Sequence, residues 1–236
     1  MSPYLAEFLG TMLLVTMGNG VVAGVSLKGT KSQNAGYLTV VLGWGLAVAL
    51  SVYAVGRFSG GHLNPAVTLA LFVNGDFPAE RVLGYMFAQF AGAFAGAMLV
   101  WIHYLPHWKH TENPVDKLGV FSTGPAIRSI GANFVSEVIG TMILVLAILF
   151  IGANRFADGL NTLVIGGLII SIGLSLGGTT GFAINPARDL GPRLAHAILP
   201  IPGKGTSDWS YSWVPVLGPF VGGLIGSWLF NLLFIS

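Results

Sequence analysis

Two tripeptides in this chain are built for one kind of chemistry: Asn64-Pro65-Ala66 and Asn185-Pro186-Ala187. Asn is a strong helix N-cap and Pro is favoured at the first helical position, so each reads as the start of a short helix. A capping Asn accepts from the helix N–H groups through its side-chain oxygen, which leaves its amide N–H donors free for a lumen. A water held by its oxygen between Asn64 and Asn185 must then point its hydrogens outward, and no proton can be relayed through it. Helix N-termini carry partial positive charge, so two of them meeting would repel cations. Arg188 and Asp189 directly follow the second tripeptide, while Glu7 and Glu137 are isolated acids within apolar runs. Such buried ionisable groups are costly unless partnered. Glu7 could instead lie at the membrane surface and snorkel.

Other chemistries find little support. The chain has no Cys, which rules out disulfides, thiolate catalysis and cysteine-ligated metals. No nucleophile stands with a positioned base, so an enzyme is not expected, and no cofactor or metal is implied. His62 has no second ligand at a suitable spacing. His103, His107 and His110 could hold an ion or sense pH, but a solvated loop explains them as well. The 11 basic and 9 acidic residues are too evenly scattered for a nucleic-acid surface.

The elements that must carry these residues lie in a membrane. The chain is 53% hydrophobic and 8% charged, with a mean hydropathy of +0.76. So few charges cannot cover a water-facing surface, since soluble domains carry roughly a quarter. Asp, Glu, Lys and Arg are absent from Tyr37 to Gly56, Val82 to Trp108, Val138 to Asn154, Gly159 to Ala187 and Trp209 to Ser236. A bilayer crossing needs about 20 apolar residues, and six spans are expected at 4–26, 37–57, 82–104, 132–153, 160–178 and 212–235. The first continues into a spanning stretch without a basic leader and reads as retained.

Two segments between spans are apolar but too short to cross, Ala66 to Val73 and Ala187 to Leu199, and read as half-helices. The first would rise about 14 Å, roughly half the hydrocarbon core, with Gly75 as its stop. Leu105 to Ile130 reads as an exposed loop joining two halves, approximately 1–104 and 132–236, of one channel domain spanning 1–236. The halves repeat: Ala6-Glu7-Phe8-Leu9-Gly10-Thr11 matches Ser136-Glu137-Val138-Ile139-Gly140-Thr141, and the two Asn-Pro-Ala segments correspond. Three spans per half turn the second upside down relative to the first. Broken helices at matching places in inverted repeats point to a solute path at the bilayer midplane.

Ser59-Gly60-Gly61-His62-Leu63-Asn64-Pro65-Ala66-Val67-Thr68 and Gly181-Phe182-Ala183-Ile184-Asn185-Pro186-Ala187-Arg188-Asp189 resemble the paired signatures of the aquaporin family, and the likeness covers the whole chain. It implies an all-α right-handed bundle of six transmembrane helices plus two re-entrant half-helices, assembled as a homotetramer with one pore per subunit. It also implies that Glu7 and Glu137 anchor the re-entrant backbone, with Asp189 a further anchor. Gly61, His62, Leu63, Gly181 and Ala183 would line the pore with their backbones. The family's narrowest point is an Arg just after the second Asn-Pro-Ala, here Arg188, with three other positions. Carried over from glycerol facilitators, these are Trp44, 20 residues before Asn64, and Gly173 and Phe182, 12 and 3 before Asn185.

Alone, Trp44 would pass for an interfacial-belt residue; its joint spacing with the other three marks it. Water-selective members have His where Gly173 stands, and removing that imidazole widens the opening. Asp189 and Pro215 are further glycerol-facilitator marks, while Val216 departs mildly from the usual Leu or Ile. Arg188 offers fixed N–H donors to two hydroxyls, and Trp44 and Phe182 form an apolar corner for a CH edge. The resemblance therefore implies a channel in the cell membrane for glycerol and some water, with urea, dihydroxyacetone, hydrogen peroxide or protonated lactic acid fitting similar constraints. It also places both termini in the cytoplasm. The positive-inside rule favours the opposite, because Arg57, Arg81 and Arg155 then lie inside while Lys28, Lys31, Lys109, Lys117, Arg128 and Lys204 lie outside.

Overall fold

In a computed structural model describing residues 1–234, ten helices account for the regular structure among those residues. Six are long and apolar: α1 (Pro3–Ser26), α2 (Tyr37–Ser59), α4 (Ala79–His103), α7 (Ile130–Gly152), α8 (Leu160–Leu176) and α10 (Val214–Phe234). Five of them are long and apolar enough to cross a membrane, and α8, with 17 residues, is shorter. By helix rise α8 still extends about 25 Å. The expected sixth span ended at 235, which lies outside the described residues.

The half-helices are α3 (Pro65–Val73) and α9 (Pro186–Ile198). Asn64 Oδ1 accepts from Ala66 N at 2.9 Å, and Pro65 fills the first helical position, where no N–H is needed. At the far end Gly75 takes φ 89°, its N–H donates to Phe72 O, and Asp76 N–H donates to Leu71 O at 2.9 Å. That left-handed glycine stops the helix as its position suggested. Asn185 Oδ1 caps α9 through Ala187 N at 3.0 Å and Arg188 N at 3.3 Å.

The connecting segment corrects one expectation. It is not an exposed loop but holds α5 (Leu105–His110) and α6 (Pro114–Phe121). Trp108, Lys117, Val120 and Phe121 are buried. Trp108 Nε1 donates to Trp101 O, and the Lys117 ammonium donates to the carbonyls of Pro202 and Gly203. Asn113 caps α6 as Asn64 caps α3, accepting from Val115 N with Pro114 at the first position. Span three also begins earlier than expected, at Ala79 immediately after Pro78.

Glycine sets how closely the long helices approach. A Cβ on Gly92 or Gly96 of α4 would fall 2.2 Å from Phe8 O or 2.6 Å from Met12 O of α1. In the other half, Gly222 and Gly226 of α10 meet Val138 O and Met142 O of α7 at 2.3 and 2.7 Å. Only a residue without a side chain allows such backbone contact. Glu7 and Glu137, Thr11 and Thr141, Gly92 and Gly222, and Gly96 and Gly226 are separated by one constant interval, so the repeat extends to the packing. The half-helices are exchanged between halves: α3 packs on α10, and α9 packs on α4.

Candidate functional site

Each re-entrant loop is held by one buried carboxylate. Glu7 accepts from His62 N at 3.0 Å, Leu63 N at 2.7 Å, Ser59 Oγ at 2.6 Å and Gln89 Nε2 at 2.7 Å. It is fully buried and does not snorkel. Glu137 accepts from Ala183 N at 3.1 Å and Ile184 N at 2.8 Å. These bonds hold backbone that side-chain-bearing residues seldom adopt, with Leu63 at φ 50° and Phe182 and Ile184 at φ 42°. Left-handed backbone persists where its surroundings over-determine it, and it collects at functional sites.

The two half-helix tips meet. Asn64 Nδ2 donates to Ile184 O and Asn185 Nδ2 donates to Leu63 O, both at 2.8 Å. Each cap is thereby bonded to the loop of the opposite half. One of the two amide hydrogens on each Asn is committed to this cross-bond, so one donor per Asn remains for the lumen rather than both.

A cavity of about 310 Å³ runs past both Asn residues, lined by Gly61, His62, Leu63, Ala183 and Ile184, and continues to Asn154, Phe156 and Asn161. A second cavity, about 600 Å³, opens toward Asn34, Asp116 and Gly124 and is lined by Gly181 and Tyr37. The two share Trp44, Phe182 and Arg188. Arg188 Cζ lies 4.1 Å above the Trp44 ring, a cation–π geometry. Arg188 Nη1 and Trp44 Nε1, both buried, have no hydrogen-bond acceptor among the described residues. Gly173 is not among the residues lining either cavity. It lies behind Phe182, where a Cβ would come within 3.1 Å of Phe182 Cζ.

Asp189 works differently from the two Glu anchors. Its Oδ2 accepts from Thr123 N and Thr123 Oγ1, both at 2.7 Å, and its Oδ1 accepts from Arg193 Nε at 2.8 Å. Arg193 also donates to Ser207 O, Asp208 O and Thr123 O. This buried pair ties α9 to the ends of the two segments around it, not to its own re-entrant loop. His62 packs its ring on Phe77 and Tyr85, at 4.7 and 5.1 Å between centroids, and its Nδ1 lies 3.1 Å from Thr68 Oγ1. His107 Nδ1 pairs with Lys28 O, and no group of three or more possible metal ligands occurs among the described residues.

The family model for the major intrinsic protein matches residues 1–230. The chain belongs to that family. Within it, the chain is 64% identical over 234 residues to a probable glycerol uptake facilitator protein of Thermotoga maritima, covering 99% of this chain and 100% of the relative. It is 59% identical to the glycerol uptake facilitator protein of Bacillus subtilis, covering 99% of this chain and 85% of that one. Among solved structures, the aquaglyceroporin from Plasmodium falciparum superposes with a TM-score of 0.86 at 33% identity, covering 99% of this chain and 96% of that chain.

Within the family signature, the structure shows the Asn caps and the Glu hydrogen bonds that the sequence suggested, together with neighbours it did not. Gln89 could have been found as an uncharged polar residue inside the charge-free stretch from Val82 to Trp108. Arg193 could have been found by its helical spacing of four from Asp189. Nothing local to Thr123 signals its part.

Proposed function

We propose that this protein is a passive transmembrane channel for glycerol and other small uncharged solutes, conducting some water and excluding protons and ions. The observation that carries this reading is the junction of the two cavities at Trp44, Phe182 and Arg188, where Arg188 Nη1 and Trp44 Nε1 are buried donors with no protein acceptor. A polyol presents hydroxyl oxygens along one edge and CH groups along the other. The guanidinium donates to the first while the two rings receive the second. Arg188, Trp44 and Phe182 form the filter wall, with Gly173 setting its width from behind. The free amide hydrogens of Asn64 and Asn185 hold the solute or water oxygen at the centre, and the Gly61–Leu63 and Gly181–Ala183 backbones line the approach on either side.

Ion exclusion follows from electrostatics. Two helix N-termini and the Arg188 charge face the same narrow path, and repulsion is weakly screened where water is scarce. In this reading, the chain is one channel domain of inverted repeats in a lipid bilayer, with both termini cytoplasmic, assembled as a homotetramer. High identity to two glycerol uptake facilitators supports glycerol as solute; urea, dihydroxyacetone, hydrogen peroxide and protonated lactic acid are candidates of similar size and neutrality.

Stopped-flow light scattering of proteoliposomes with this solute panel tests the reading. Glycerol entry should be fast, downhill and independent of sodium or pH gradients, and sodium or proton conductance should match empty liposomes. Sizeable ion currents, or glycerol entry no faster than in empty liposomes, would overturn it.

A further inference from the structure

Phe182 and Gly61 occupy matching places, each three residues before its Asn, and both have left-handed backbone at φ 42° and 65°. Glycine is the ordinary residue there, and a phenylalanine adds strain. The helix beside each loop shows the opposite exchange. The first half has Val52 and Gly56 of α2 at 12 and 8 residues before Asn64, and the second has Gly173 and Gly177 at the same intervals before Asn185. A Cβ on Gly61 would lie 3.1 Å from Val52 Cγ1 and 3.4 Å from Gly56 Cα, so bulk there sits on the helix and none on the loop. In the second half the helix is bare and the loop carries a ring.

That ring is closely seated. A Cβ on Gly177 would fall 2.6 Å from Phe182 Cδ1, 2.5 Å from Gly173 O and 2.3 Å from the Tyr37 hydroxyl. Tyr37 is one helical turn before Val41, whose Cγ1 would be 2.8 Å from a Cβ on Gly173. The Tyr37 ring stands edge-on to Phe182, with centroids 6.4 Å apart and planes at 89°. Tyr37 also lines the outer cavity with Arg188 and is 44% exposed. Phe182 therefore rests in a slot with a floor of Gly173 and Gly177 and a side wall of Val41 and Tyr37.

We infer that Gly177 and Tyr37 are positioning residues that hold the Phe182 ring at the lumen and thereby set the glycerol-to-water permeability ratio, a role that rests on reading Phe182 as a filter wall. A methyl group on Gly177 has backbone beneath it and an aromatic ring above, so the ring must shift into the path. Water, being smaller, is obstructed less than glycerol. Removing the Tyr37 side chain adds no atom, but it frees the ring to swing back and open the mouth.

The test measures water, glycerol and erythritol permeabilities in proteoliposomes for the unmodified protein, Phe182→Ala, Gly177→Ala, Gly177→Ala with Tyr37→Phe, and Tyr37→Ala. Gly177→Ala should lower glycerol relative to water about tenfold, the scale of one methyl group in a fitted pocket. Adding Tyr37→Phe removes the nearest colliding atom and should recover part of that loss. Tyr37→Ala should raise erythritol relative to glycerol, and it decides alone if Gly177→Ala does not assemble as monodisperse protein. Unchanged ratios in Gly177→Ala and Tyr37→Ala, or an equal fall for all solutes, overturn the inference while Phe182→Ala still shifts the ratio. An unchanged ratio in Phe182→Ala instead overturns the filter reading beneath it.

Discussion

Around the α3 tip, Glu7 is surrounded by neutral donors: two backbone N–H groups, a serine hydroxyl and the Gln89 amide. Around the α9 tip, Glu137 also takes two backbone N–H groups, but the helix behind it carries Arg188 and the buried Asp189–Arg193 pair. The repeat places Pro219 of α10 where α4 has Gln89, so the second half has no side-chain amide to offer at that place. The same backbone device is thus stabilised by neutral hydrogen bonds on one side and accompanied by ion pairing on the other. The charged side is also where the passage is lined by aromatic rings. Fixed charge and aromatic rings coincide at the junction of the two cavities, where Arg188 and Phe182 of the second half meet Trp44 of α2 in the first.

The largest expected effect comes from breaking the charged side. Arg193→Leu leaves Asp189 buried without its partner and three carbonyls short of a donor, and should cost about 3–5 kcal/mol. Gln89→Leu removes one charge-assisted hydrogen bond from Glu7 and should cost about 1.5–3 kcal/mol. Thermal unfolding of detergent-solubilised protein compares the two, and equal losses would break the contrast between the halves.

Next in size is Arg188→Val. Without the guanidinium the path loses its fixed charge and widens, so proteoliposomes should admit erythritol and pass more sodium current than those with the unmodified protein. Retained ion exclusion would assign the barrier to the half-helix tips instead.

A smaller change is expected from Gly173→His. Because Phe182 Cζ and Val41 already crowd that site, the imidazole is introduced together with Phe182→Ala, which removes the ring from its way. The double variant should lower glycerol permeability about tenfold with water permeability retained, and surviving glycerol flux would dissociate Gly173 from the filter. Smallest of all, mercuric ion should leave conduction unchanged, since the chain has no Cys. Thiol-reversible block of purified protein would contradict that mechanism.

Much of this contrast could be read from sequence because capping and helix starts are local. Asn64-Pro65 and Asn185-Pro186 announce their helices through neighbouring residues alone. Asn113-Pro114 carries the same signature, but the apolar run after it is too short to mark an element, and so α6 was not expected. The bonds of Lys117 reach residues 85 and 86 positions away, and Arg193 reaches Thr123 across 70 positions. The charge asymmetry counts cations without their partners for the same reason. Lys117 bonds the carbonyls of residues 202 and 203, Arg128 pairs with Asp208, and Lys204 caps the carbonyls of His196, Ala197 and Leu199 at the α9 C-terminus. Half of the six supposed outer cations are structural ties, and a count of positive residues treats them as free. The proposed filter set rests on family spacing, because Trp44 and Gly173 have nothing around them in sequence that distinguishes them from a belt residue and a packing residue.

The crossed caps have a consequence for synthesis. Asn64 needs Ile184 O, Leu63 O needs Asn185, and α3 leans on α10, the last of the described helices in chain order. A ribosome that has delivered only the first half has produced a segment whose cap amide and loop carbonyl lack partners in a medium that supplies none. Neither half is a finished object, so folding of the first re-entrant segment must wait until α10 has been made. Truncation anywhere before α10 should therefore yield a product marked for quality control, whereas two separately expressed halves could complete one another.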